Sequence, residues 1–126
     1  MKVIIDLIED AREAIKNSQG FTLSTMGLYE QVSGEFLPSW QSHISKVQID
    51  EKEKKLFFFL GKEAGLELGA CLDYLNALSN EEMMYEVCVS YSHDNSRIDS
   101  ELLGFGESLE DKKYLLFIED KHVENS

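Results

Sequence analysis

Few residues in this chain have both the type and the spacing for chemistry. His93-Asp94 with Asp99 and Glu101 is the one local group of imidazole and carboxylates able to polarise a water or hold a metal. Its spacing fits neither helical turns nor alternate strand positions, and Asn95-Ser96-Arg97 inside it reads as a flexible loop. Cys71 or Cys88 could pair with His43, His93 or His122 as nucleophile and base only if the fold brought them into contact. Both cysteines stand among apolar neighbours, where a thiol stays protonated and inert. Leu103-Gly104-Phe105-Gly106 lacks the third glycine and the following helix of a dinucleotide turn. Its glycines mark a bulge instead, and a bulged edge strand could accept a strand from a partner. The expectation is a non-catalytic chain with no cofactor and no metal.

The elements that would carry these residues follow from hydrophobic periodicity. Ile4, Leu7, Ile8, Ala11 and Ile15 share one helical face, and Gly20 ends that N-terminal helix, placed at 1–20. Over Phe21 to Phe36, Leu23, Met26, Tyr29 and Val32 suit a short helix that Gly27 and Gly34 weaken. Pro38-Ser39-Trp40 reads as a turn or helix start. Ile44 to Ile49 and Leu56 to Leu60 form two strands around a charged hairpin loop, the second apolar throughout and therefore covered on both faces. Phe57, Phe58 and Phe59 cannot all face one side, so one of them needs cover from a helix or from a second copy in a homodimer. Leu68, Leu72, Leu75 and Leu78 return to helical spacing, with Asn80 as C-cap. Met83 to Tyr91, Leu102 to Phe105 and Tyr114 to Ile118 complete a meander, and Lys121 to Ser126 is a fraying tail. The expected fold is a single α+β domain over 1–126, a mostly antiparallel sheet of about five strands with two or three helices packed on one face.

Length and composition support that reading. At 126 residues with 43% hydrophobic content, a core can form without disulfides or metal. Neither a secretory signal nor a long apolar span is legible, and two cysteines in apolar settings fit reduced thiols, which places the chain in the cytoplasm. The formal net charge is −12, and it is regional: residues 81–126 hold twelve of the 24 acidic residues and only four of the 12 basic ones. In the acidic meander, 81–120, Glu86 alternates with Val87 and Val89, so one strand face is acidic and the other apolar. The expected partner-binding carboxylates are Glu86, Asp94, Asp99, Glu101, Glu107, Glu110 and Asp111, gathered on one surface that matches a basic protein. The same charge opposes direct nucleic-acid binding and anionic membranes.

Size, acidity, the absence of a catalytic motif and the α+β pattern together resemble the small bacterial immunity proteins that neutralise nuclease toxins, including those of contact-dependent growth inhibition. The likeness is one of type and rests on no shared motif. It implies a tight complex with a basic cognate toxin, in which the acidic surface stands in for phosphate and blocks the active site. The alternative is an acidic nucleic-acid mimic or regulatory module that binds a host nucleic-acid-binding protein.

Overall fold

A computed structural model of the chain describes residues 1–17, 20–62 and 65–120. The elements are α1 (Ile4–Asn17), β1 (Thr22–Glu30), β2 (Phe36–Asp50), β3 (Lys55–Gly61), α2 (Leu68–Asn76), a single 3-10 turn at Glu82–Met84, β4 (Glu86–His93), β5 (Ser96–Ser108) and β6 (Lys113–Glu119). The protein is α+β, with two α-helices and a six-stranded mixed sheet that closes in the order β1-β2-β3-β4-β5-β6. Neighbours are antiparallel except β3 with β4 and β1 with β6, which run parallel. The parallel β1·β6 pair closes the barrel, and α2 provides the long crossover that the parallel β3·β4 pair requires.

Strands β1, β3, β4 and β6 therefore all run toward one end of the barrel. The helices lie across the other end, where those strands begin. Backbone bonds tie them there: Ile4 N–H donates to the Tyr85 carbonyl and Leu68 N–H to the Phe21 carbonyl. The Tyr114 hydroxyl donates to the Asp10 carboxylate. The first turn of α1 is fixed by Asp6, whose carboxylate accepts the Val3 N–H at 3.0 Å, half of a capping box. Ile4, Leu7, Ile8, Ala11 and Ala14 of α1 and Leu68, Cys71, Leu72 and Leu75 of α2 enter one core with the inward positions Leu56, Phe58, Val87, Val89, Leu102, Leu116 and Ile118.

Several expectations are corrected by this arrangement. Among the described residues there are six strands against the expected about five, because Phe21 to Phe36 supplies a strand and a turn in place of a helix. The helical spacing of Leu23, Met26 and Tyr29 misleads because Leu23, Ser24 and Thr25 are all buried, which erases the alternation of a half-exposed strand. Pro38 lies inside β2 opposite Leu28, where the β1·β2 register slips between Gly27 and Leu28, so the missing N–H falls at an irregularity in the ladder. Four of the six neighbouring pairs are antiparallel, in keeping with a mostly antiparallel sheet, and two are parallel; the helices plug an end of a barrel and do not cover an open face. The bulge near Leu103 is present as a register shift between Leu102 and Gly104, at the point where β5 passes from pairing with β4 over residues 96–101 to pairing with β6 over residues 102–108. The final helix ends at Asn76 with Ala77 as C-cap, ahead of Asn80. Residues 121–126, expected as a frayed tail, lie outside the described residues.

Phe58 points inward and is fully buried, while Phe57 and Phe59 face outward. Their cover comes from the same chain: the Arg97 guanidinium sits 4.8 Å from the Phe57 ring and 5.5 Å from the Phe59 ring, and Lys46 Nζ lies 5.4 Å from Phe59.

Candidate functional site

Two features stand out on this frame, an acidic ridge on the outside and a cavity at the open mouth. The ridge begins on the outer face of β4 and β5. Cys88 pairs with Glu101 and Ser90 with Asp99, so Glu86, Cys88, Asp99 and Glu101 share the outward side while Val87, Val89 and Tyr91 point in. Burial, then the charges of Glu86, Asp99 and Glu101, push the Cys88 thiol up to about 11, with Lys55 opposing. Three of the seven expected carboxylates thus converge around one sulfur. Lys55 meets Glu86 at 3.7 Å, and Arg97 meets Asp99 at 2.8 Å. Glu101 has no ion-pair partner among the described residues.

The ridge continues toward the helical end through residues that sequence reasoning did not select. Glu51, in the β2–β3 turn, and Glu82, in the 3-10 turn, bring their carboxyls together, and Tyr85 donates to Glu51 Oε2 at 2.8 Å. The proximity of the two carboxyls pushes Glu51 up and Glu82 down from the ordinary carboxylate value, and Glu82 also accepts the Ser79 N–H at 2.8 Å. Glu81 adds its charge to Glu51. The sequence separation of Glu51 from Glu82 hides their meeting, because it depends on parallel pairing of β3 with β4.

The other expected carboxylates are placed elsewhere. Asp94 sits in the β4–β5 turn at the mouth, 3.3 Å from His93. Glu107 is opposite Tyr114, and its charge acts on that phenol, on the helical side of β5. Glu110 and Asp111 occupy the β5–β6 turn, where Ser108 Oγ donates to Asp111 at 3.2 Å. The fold therefore brings Glu86, Asp99 and Glu101 together on the outer face of β4 and β5 and places Asp94, Glu107, Glu110 and Asp111 apart from them. The Asp94–Asn95 loop is also tighter than a flexible loop: both residues have positive φ, 50° and 64°, between paired His93 and Ser96.

The mouth holds a cavity of about 730 Å³. Pairing of β3 with β4 stops at Phe59 and Ser90, and beyond it Leu60 follows β2 while Tyr91 to His93 follow β5. The two strands splay, and the gap is lined by Trp40 and Ser42 from β2, Tyr91 and Ser92 from β4, Arg97 from β5, and Asp120 just beyond β6. Trp40 lies across Gly27, where any Cβ would come within 2.4 Å of its indole nitrogen, and its ring stands 5.4 Å from that of Tyr91. Asp120 is 8% exposed; its Oδ2 accepts the Ser39 hydroxyl at 2.8 Å, and its N–H donates to the Leu28 carbonyl. Burial raises the Tyr91 phenol above its ordinary value, the nearby Ser100 hydroxyl opposes this, and the Asp120 charge adds to it. Tyr91 Oη and Ser100 Oγ are both buried and do not reach hydrogen-bonding geometry with any group.

No group of three His, Cys, Asp or Glu side chains able to hold a metal occurs among the described residues. His43 and His93 lie far along the chain from Cys71, which burial pushes up to about 12. Both cysteines are buried and free. No helix among the described residues is long and apolar enough to cross a membrane. The chain matches no protein-family model, no curated protein and no solved structure.

Proposed function

We propose that this protein is a non-catalytic binding protein, an immunity protein that occludes the active site or substrate surface of a basic nuclease toxin in the cytoplasm. The observation that supports the reading is the ridge: Glu86, Asp99 and Glu101 crowd around Cys88, and the line extends to Glu81 and the Glu51–Glu82 pair. Like charges held this close repel. A cationic partner surface relieves that repulsion on contact and gains encounter rate from the field of a −12 chain. Lys55 and Arg97 hold Glu86 and Asp99 in place, so the surface is ordered before the partner arrives.

The test is protection against the basic toxin domain encoded beside this gene. The combined variant Glu82→Lys, Glu86→Lys, Glu101→Lys should fold cooperatively and no longer block the nuclease at stoichiometric concentration. Full protection by that variant, or a neighbouring gene that encodes no basic domain, would remove the reading. Recovery of a general host nucleic-acid-binding protein as the tight partner would favour the mimic alternative.

A further inference from the structure

The barrel mouth combines features that the ridge does not use. Trp40 and Tyr91 present two aromatic rings 5.4 Å apart at a tilt of 59°. Asp120 is a buried carboxylate among the lining residues, anchored by Ser39. Aromatic faces attract cations through their quadrupole, and the attraction grows when the cation is desolvated. A carboxylate at 8% exposure favours a positive occupant for the same reason.

The rim does not reverse this preference. The Arg97 guanidinium, which also lines the mouth, is engaged by Asp99 at 2.8 Å and lies over Phe57 and Phe59. His93 lies 3.3 Å from Asp94. An anion entering the mouth would meet Asp120 and the field of the whole chain. At about 730 Å³ and open to solvent at the end of the barrel, the cavity accepts a long side chain end-on.

We infer that the mouth receives an arginine or lysine side chain of the basic partner, its cationic head set against the Trp40 and Tyr91 ring pair and directed toward Asp120. This rests on the reading of the protein as a binder of a basic protein, and it adds a defined anchor to a diffuse electrostatic surface. Buried charged anchors of this kind carry a disproportionate share of affinity. The ridge would govern how fast the partner arrives, and the mouth how slowly it leaves.

Trp40 is the only tryptophan, so its fluorescence reports the cavity directly. The probes are N-acetyl-arginine amide and its neutral isostere N-acetyl-citrulline amide, titrated into the full chain. The arginine derivative should change the emission saturably, with affinity on the order of millimolar, and the citrulline derivative should bind about tenfold more weakly or not at all. Asp120→Asn should abolish that discrimination. Because Asp120 also ties Ser39, Tyr91→Leu provides a second variant that removes a π face and leaves the carboxylate, with the same loss expected; thermal unfolding verifies the fold of each. Equal response to the two probes, or discrimination retained in both variants, overturns the cation site. In the complex, Trp40 emission should change and the arginine derivative should no longer bind; unchanged emission with the probe still binding overturns the assignment to a partner side chain. A basic partner that binds equally well to Asp120→Asn and Tyr91→Leu defeats this inference alone. Probe binding without any basic partner defeats the functional reading, and the partner assignment with it.

Discussion

At the residue scale, the positions that matter are those where a neighbour leaves no room or no water. Gly27 is required because the Trp40 indole occupies the space of its side chain, with a built Cβ 2.4 Å from Nε1 and 2.5 Å from Cε2. Gly27→Ala should cost about 1–3 kcal/mol in urea unfolding and shift Trp40 emission as the ring is displaced. Gly104→Ala, where nothing lies within 4 Å, should stay within about 0.5 kcal/mol. The contrast between the two checks the packing of the mouth. Burial also makes a statement about pH. Cys71 rises from 9.0 to about 12, and Tyr114 rises above its ordinary value through burial and its bond to Asp10. Below about pH 9 both groups keep their protons folded and unfolded, and their contribution is complete. As pH rises toward 12 the unfolded chain loses protons that the folded chain retains, so stability falls. The slope approaches roughly 1.4 kcal/mol per pH unit for each group in its window. Denaturation at pH 7, 9 and 10 should show the decline, and Cys71→Ala should flatten its first part; a level profile would contradict the burial of the thiol.

At the element scale, regular amphipathic segments were legible and doubly covered ones were not. The α1 stripe from Ile4 to Ala11 follows directly from spacing, as does the inward set Val87 and Val89 opposite Glu86. Strand β1 was hidden because Ser24 and Thr25 are buried beside Leu23 for reasons of long-range contact, Thr25 donating its hydroxyl to the Leu116 carbonyl at 2.8 Å. Pro38 signalled a boundary, yet the ladder accommodates it at a register slip. Of the ridge, Glu86, Asp99 and Glu101 could be read from strand alternation, whereas the Glu51–Glu82 contact could not, since it is made by topology. The mouth was equally invisible: its members come from β2, β4, β5 and the end of β6. The tight β4–β5 turn offers an element-level test. Asn95, at φ 64°, tolerates the left-handed region, and Asn95→Val should lose about 1–2 kcal/mol while Asn95→Gly stays close to neutral. Equal stability of the two variants in thermal unfolding would mean that Asn95 does not hold the left-handed backbone conformation.

At the scale of the whole molecule, the barrel separates two tasks along one axis. The helical end is sealed by α1 and α2, which supply much of the apolar core. The opposite end opens where β3 and β4 part company, and the ridge runs along the wall between the two ends. Concentrated carboxylates weaken the isolated protein through self-repulsion, so neutralising them should raise the melting temperature while lowering partner affinity. That opposition separates a binding surface from one that serves solubility alone. The most direct measurement is the association rate of this protein with its basic partner as a function of ionic strength, for the native chain and for Glu82→Lys, Glu86→Lys, Glu101→Lys. The native rate should fall steeply with salt, and the variant should associate at least about tenfold more slowly at low salt with a much flatter dependence. Identical rates and identical salt dependence in the two proteins would contradict the central claim that the ridge is what the partner meets.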